Sequence, residues 1–174
     1  MKGGEKQPPG MIRTSVALAG LFLFDLGYSG QGLFALGVAV LGVASLAVGA
    51  LWSVFRGAPA LARSRALRAG LYLFLGAATI ATVRLHAATA ESRAARVIEA
   101  CRAFERAHGA LPDRLEELVP DFLSAVPRAK YTLAWGEFTY SASETRRHTL
   151  MYVALPPFGR RIYHFEEARW SRLD

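Results

Sequence analysis

The sequence has little of what would indicate a soluble enzyme or a disulfide-rich secreted domain. It holds one cysteine, Cys101, so no disulfide can form within the chain. No acidic residue lies between Asp25 and Glu91, and the basic residues between Asp25 and Arg84 are confined to one short segment: Arg56, Arg63, Arg65 and Arg68. A glycine-rich phosphate loop and the closely spaced His or Cys pairs of metal sites are also missing. We therefore expect no catalytic residue, cofactor or metal.

Most of the net positive charge of the chain belongs to its N-terminal half. Residues 1–83 hold seven basic and two acidic side chains, and residues 84–174 hold fourteen basic and twelve acidic ones. The net charge of +7 therefore divides into +5 for the first segment and +2 for the second. A nucleic-acid-binding domain would carry a cluster of excess basic residues. The charge of residues 84–174 is instead nearly balanced. No nucleic-acid partner is expected.

Residues 14–55 are almost continuously apolar and predict membrane-spanning helices. As a single helix, residues 14–55 would extend roughly 63 Å, about twice the hydrocarbon core of a bilayer. The glycines and polar residues of 27–32 predict a turn that divides this run. We predict three spans, at about 13–28, 33–55 and 67–86, with Arg84 reaching from the third span toward the interface.

The basic residues predict the orientation of these spans. Lys2, Lys6 and Arg13 precede the first span, and Arg56, Arg63, Arg65 and Arg68 lie between the second and third. By the positive-inside rule, the tail 1–12 and the loop 56–68 lie in the cytoplasm. Residues 89–174 then form a domain outside a bacterial inner membrane, in the periplasm or at the cell exterior. The first span also resembles a cleavable signal peptide, which would leave this orientation unchanged.

Small residues recur four apart within the predicted spans, where they let helices approach closely. The pairs are Ala35/Ala39, Ser45/Gly49 and Ala77/Ala81. They indicate either packing of the three helices against one another or a lateral interface with a larger membrane complex.

After Arg84 the pattern predicts a small α+β domain. Apolar residues at helical spacing indicate an amphipathic helix that leaves the membrane and ends at Gly109. A short helix from Pro112 to Pro120 follows. Aromatic and β-branched residues then predict strands at 131–135, 138–141, 149–155 and 161–165. The expected fold is a long amphipathic helix packed on an antiparallel sheet of three to four strands.

The stretch from His108 to Pro112, with Leu115, Leu118 to Pro120, Phe122-Leu123 and Val126-Pro127, precedes short aromatic-rich strands. This part resembles the periplasmic domain of type IV pilins and type II secretion pseudopilins. The resemblance implies a membrane helix that runs directly into a long helix on a small sheet. It covers roughly residues 68–170.

Two departures limit this resemblance. No Gly-Phe-xxx-Glu processing sequence precedes any span, and two further spans stand before the candidate pilin helix. Glu166, Glu167 and Asp174 do not form the calcium loop of the major pseudopilin. The resemblance therefore implies a pilin-like domain on a polytopic anchor, and not a filament subunit.

Cys101, Glu105 and His108 fall on one helical face, as a nucleophile, an acid and a base would in an enzyme. Because Cys101 belongs to the apolar stripe of that helix, we favour a buried packing role, with an intermolecular disulfide as the remaining possibility. The four histidines, at 86, 108, 148 and 164, are scattered and indicate structural or solvated side chains.

Aromatic residues with arginine neighbours near the C-terminus form the candidate interaction surface: Arg160, Arg161, Tyr163, Arg169 and Trp170. We interpret the chain as a non-enzymatic integral membrane protein whose partners are the lipid bilayer and other envelope proteins. An accessory or structural subunit of a respiratory, photosynthetic or secretory complex is the alternative. A membrane-bound hydrolase or redox enzyme is the third hypothesis.

Overall fold

The computed structural model describes residues 9–142, 147–155 and 159–173, which form two compact units. The first unit comprises Met1–Tyr28 and Gly32–Val83, and the second comprises Ser29–Gln31 and Arg84–Asp174. Residues 1–8 of the predicted tail, including Lys2 and Lys6, lie outside the described residues, as do Asp174 and the predicted connections at 143–146 and 156–158.

Helix α1 (Pro9–Phe24) continues into a π-helical turn (Asp25–Ser29) and is followed by helix α2 (Leu33–Phe55). The predicted break at 27–32 is confirmed at its C-terminal part, where Gly30 and Gly32 have φ of 70° and 68°. Asp25 is buried, and its carboxylate accepts a hydrogen bond from the Ala35 N–H at 2.9 Å. Because Ala35 is the third residue of α2, Asp25 satisfies one of the unpaired N–H groups of that helix.

Asp25→Ala is expected to lower the thermal stability of the full chain in detergent by about 1 kcal/mol, since the cap of α2 is lost. Asp25→Asn keeps a side-chain oxygen and should lose less. The measurement is thermal unfolding followed by circular dichroism at 222 nm. Equal losses in the two variants would show that the hydrogen bond to Ala35 is not what stabilises the turn.

The connection between α2 and the next helix is shorter than the loop predicted at 56–68, so that prediction is wrong in its length. Only Arg56, Gly57 and Ala58 separate α2 from helix α3 (Pro59–His108), with Gly57 at a φ of 67°. Pro59 suits the first position of a helix, and the alanines, leucines and arginines that follow are strong helix formers. The later arginines of the predicted loop therefore lie on the first turns of α3: Arg63, Arg65 and Arg68.

Two helices among the described residues are long and apolar enough to cross a membrane, Leu33–Phe55 and Pro59–His108. Helix α1 has 16 residues, which is shorter than a typical span, so the first predicted span, at 13–28, is not confirmed. Helix α3 has 50 residues and runs without interruption from the apolar segment into the amphipathic one, as predicted. At 1.5 Å per residue it is about 75 Å long, so only part of it can lie in a bilayer.

In the first unit, each of the three helices contributes one residue to a small buried core: Leu18, Ala39 and Leu75. Of the predicted small pairs, Ala35 and Ala39 are buried, whereas Ala77 and Ala81 are exposed. Close approach of α2 to α3 depends instead on Gly42, because a Cβ built there would meet the Tyr72 ring at 2.3–2.7 Å. Glycine is thus required at this contact.

Gly42→Ala is expected to lower the stability of the full chain in detergent by about 2 kcal/mol, because the added methyl overpacks the Tyr72 ring. Gly37→Ala is the matched control on the same helix, since a Cβ there meets nothing within 4 Å. That change should be neutral or slightly stabilising. In a Tyr72→Ala background the loss from Gly42→Ala should disappear, which a double-mutant cycle measures. Equal melting temperatures for the two glycine variants would contradict the contact.

In the second unit, α3 ends as predicted at Gly109, which has a φ of 81° and donates its N–H to the Glu105 carbonyl at 2.8 Å. The predicted helix after Pro112 is reduced to a 3₁₀ turn at Leu115–Leu118. Four strands follow, β1 (Thr139–Ala142), β2 (His148–Leu155), β3 (Gly159–His164) and β4 (Arg169–Leu173). They pair sequentially as an antiparallel sheet in the order β1-β2-β3-β4.

The number of strands agrees with the prediction, but two of their positions differ. Residues 131–135 form a loop, where the Thr132 hydroxyl donates to the Ala134 carbonyl at 2.7 Å and Trp135 has a φ of 60°. Strand β4 was not predicted, because its sequence Arg-Trp-Ser-Arg-Leu is mostly polar. Pairing with β3 determines its extended structure.

The core of this unit forms where α3 packs on one face of the sheet. Its fully buried residues come from the helix, the 3₁₀ turn and the strands, and include Val97, Cys101, Leu118, Leu150 and Phe165. The fold of a long helix on a four-stranded antiparallel sheet is therefore confirmed.

Candidate interaction groove

The five residues of the predicted interaction surface lie on the two strands at one edge of the sheet. Side chains alternate between the faces of a strand, and the register pairs Tyr163 with Trp170. Arg161 and Tyr163 therefore share the helix-facing side with Trp170. Arg160 and Arg169 belong to the opposite face. The structure brings three of the predicted residues together and separates the other two from them.

The three helix-facing residues form one wall of an open groove of about 510 Å³, and α3 forms the other. Helix residues of the groove recur at i, i+4, i+7 and i+8: Glu91, Ala95, Ile98 and Glu99. We call this site the α3–β4 groove. Its floor is apolar and aromatic, and its rim is charged.

The aromatic wall is held by contacts among its own members. The ring centroids of Tyr163 and Trp170 are 5.2 Å apart, and the Arg161 guanidinium lies 5.1 Å from the Trp170 ring centroid. Trp170 also packs edge-on against the buried Tyr152 at 5.9 Å. These contacts restrict the rotamers of large side chains, which lowers the entropic cost of binding a partner.

The charged rim consists of one ion pair and one further carboxylate. Arg161 donates to the Glu91 carboxylate and so links β3 to α3. Glu99 is exposed and forms no ion pair with the residues that the structure describes. The groove thus offers an apolar surface beside a negative charge, which suits a protein segment with an apolar residue next to a basic one.

The remaining two predicted residues lie outside the groove. Arg169 pairs with Glu167, and Arg160 lies opposite Leu173 in the register of β3 and β4. Exposed ion pairs of this kind contribute little to stability. We therefore exclude Arg160 and Arg169 from the candidate site.

Cys101, Glu105 and His108 are not arranged as a catalytic group. Cys101 is fully buried, and burial raises the pKa of its thiol to about 12. Glu105 accepts a hydrogen bond from Arg102 at 2.8 Å, and the His108 ring stacks on Phe104 with centroids 4.1 Å apart. Burial, an ion pair and a ring contact therefore account for Cys101, Glu105 and His108 in turn. Among the described residues, no cluster of three or more His, Cys, Asp or Glu side chains could hold a metal ion.

Compared with protein-family models, with curated proteins and with solved structures, the chain shows no match.

Sequence reasoning found the strand wall of the groove and missed the helix wall. The helical spacing of Glu91, Ala95 and Ile98 was visible, but Ala95 and the two glutamates carry no chemical signature of a site. Their relevance follows from the strands that lie beside them.

Proposed function

We propose that the chain is a non-enzymatic membrane protein that binds a partner protein through the α3–β4 groove. In this proposal α1, α2 and the first part of α3 span a bacterial inner membrane three times. The N-terminus lies inside, and the pilin-like domain lies in the periplasm or outside the cell. One observation carries the proposal: an aromatic groove with a charged rim is built directly on a helix that continues from an apolar segment.

The composition of the groove supports protein binding. Tryptophan, tyrosine and arginine dominate the energetic centres of protein interfaces, and the groove combines all three. The helix wall of the groove contains Ala95 and Ile98, so a partner side chain could be desolvated there.

The arginines around the α2–α3 connection support the proposed orientation. Arg56 lies 4.8 Å from the Trp52 ring centroid, and Arg65 donates to the Ser53 hydroxyl at 2.7 Å. Arg63 is exposed. Cations and a tryptophan gathered at one end of two apolar helices are typical of a cytoplasmic membrane interface.

Labelling of introduced cysteines in intact cells tests the orientation. Ala107→Cys at the exposed end of α3 should react with a membrane-impermeant maleimide, whereas Ala60→Cys at the start of α3 should react only after permeabilisation. The native thiol is buried and gives little background. Labelling of the Ala60→Cys variant alone in intact cells would overturn the proposed topology.

A variant that fills the groove tests the proposed binding function. Ala95→Trp places a large ring in the groove without removing a packing residue, and Ala107→Trp is the matched control outside it. We expect Ala95→Trp to reduce the recovery of stoichiometric partners from mild-detergent extracts about tenfold. A clean monomer from the wild-type chain, or equal recovery with both variants, would contradict the proposal.

A second candidate function is that of a subunit of a larger membrane complex. In this case a face of the apolar helices would pack against the other subunits. In the first unit, an apolar groove of about 520 Å³ between α2 and α3 is lined by residues that include Leu36, Val40, Leu73, Ala77 and Ile80. Exposure of Ala77 leaves a small residue free for a neighbouring helix. Loss of partners with Ala77→Trp but not with Ala95→Trp would favour this candidate.

A further inference from the structure

The loop at 131–135 presents large apolar side chains to solvent. Tyr131, Leu133 and Trp135 are 73%, 78% and 49% exposed, while Thr132 between them is buried. This arrangement reverses the usual one, in which the threonine would face water and the leucine would face the core.

A set of hydrogen bonds holds the loop in this conformation. The Thr132 hydroxyl bonds to the Ala134 carbonyl, Arg128 donates to the Thr132 carbonyl at 3.0 Å, and the Lys130 N–H donates to the Gly136 carbonyl at 3.1 Å. Trp135 has a φ of 60°, which is unfavourable for a large side chain. Backbone strain that is held by its surroundings occurs mostly where function requires it.

The loop lies against the segment of α3 that follows its apolar part. The Arg93 guanidinium is 4.0 Å from the Tyr131 ring centroid and donates to the Arg128 carbonyl at 2.8 Å. His86 lies beside Gly30, since a Cβ built on that glycine would meet the His86 Nδ1 at 3.9 Å. Gly30 belongs to the same unit, and a Cβ built on it would meet the Thr132 methyl at 2.8 Å. His86 is at the end of the predicted third span within α3, and Gly30 lies three residues before Leu33, the first residue of α2.

We propose that the loop 131–135 inserts Tyr131, Leu133 and Trp135 into the phospholipid interface of the membrane that holds α2 and α3. Tyrosine and tryptophan are the residues most enriched at this depth, because their rings are apolar at one end and polar at the other. Arg128, exposed at the base of the loop, suits a lipid phosphate. This inference rests on the proposed membrane anchoring.

The three tryptophans of the chain allow a test that separates the two proposals. The double variant Trp52→Phe/Trp170→Phe of the full chain keeps Trp135 as its single tryptophan. The double variant Trp135→Phe/Trp170→Phe keeps Trp52. Each protein is reconstituted into phosphatidylcholine and phosphatidylglycerol vesicles, with or without lipids that carry bromine near the top of the acyl chains. Trp52 reports the anchor, and Trp135 reports the loop.

We expect bromolipid to remove about half of the Trp135 emission, because the ring lies at the depth of the bromine. Leu133→Ser should reduce this quenching, whereas Leu173→Ser, at another exposed leucine outside the loop, should not. Quenching of Trp52 with none of Trp135 would overturn the docking of the loop and keep the anchor. Quenching of neither would overturn both proposals.

Discussion

Raising the pH from 7 to 10 is expected to stabilise the C-terminal domain of the wild-type chain by about 3 kcal/mol more than that of the Lys130→Met variant. Lys130 is only 2% exposed, and its ammonium donates to the Ala154 carbonyl at 2.6 Å. Burial lowers the pKa of this group from 10.5 to about 8. Methionine matches the length of the side chain and carries no charge.

The sign follows from proton binding in the two states. Below pH 8, Lys130 is protonated in both the folded and the unfolded chain, and its contribution is constant. Between about 8 and 10.5 the unfolded chain keeps the proton that the folded chain has released, so the free energy of unfolding rises with pH. The increase is about 1.4 kcal/mol per pH unit.

The measurement is urea unfolding of the full chain in detergent, followed by tryptophan emission, at several pH values from 7 to 10. The difference between wild type and Lys130→Met is the relevant quantity, because Cys101, Tyr140 and Tyr152 affect both proteins equally. Arg114→Met, at an exposed cation, is the matched control and should show the wild-type pH dependence. Parallel pH profiles for wild type and Lys130→Met would refute the burial of the charge.

Cys101 is expected to react with a thiol reagent about 1000-fold more slowly in the folded chain than in the unfolded one. Burial raises the pKa of the thiol from 9.0 to about 12, so the reactive thiolate is about 1000-fold scarcer in the folded state at neutral pH. The same burial excludes the reagent. This residue was a candidate for an intermolecular disulfide, and its burial opposes that interpretation.

The rate of labelling by a disulfide reagent, with and without denaturant, measures this effect. Ala107→Cys in a Cys101→Ala background is the control, because residue 107 is exposed on the same helix and should react at once. Rapid labelling of Cys101 in the folded wild-type chain would mean that the helix does not pack on the sheet as described.

Cys101 and Lys130 respond to pH with opposite signs, and both signs follow from burial. The folded chain holds the Cys101 proton above pH 9 while the unfolded chain releases it, so this thiol reduces stability as pH rises. An alkaline stability profile of the wild type alone would therefore combine the two effects. Comparison with Lys130→Met separates them.

Local patterns predicted the long helix and most of the sheet, because each element carries its own periodicity. Apolar spacing extended from the predicted third span through the amphipathic segment, and α3 is continuous there. The arginine segment misled the prediction, since its charge indicated a loop while its residues are good helix formers. Residues 131–135 have the composition of a strand but lie in a loop held by Arg128 and Thr132.

The sequence by itself determined the division into an apolar half with few acidic residues and a half of nearly balanced charge, because hydropathy and charge are properties of short segments. It also predicted that aromatic and arginine residues near 160–170 would be the candidate surface. Only the tertiary structure decided that Arg161, Tyr163 and Trp170 share a groove with Glu91 and Ala95, while Arg160 and Arg169 do not. Strand β4 and its register with β3 depend on hydrogen bonds between distant segments, which no local pattern contains.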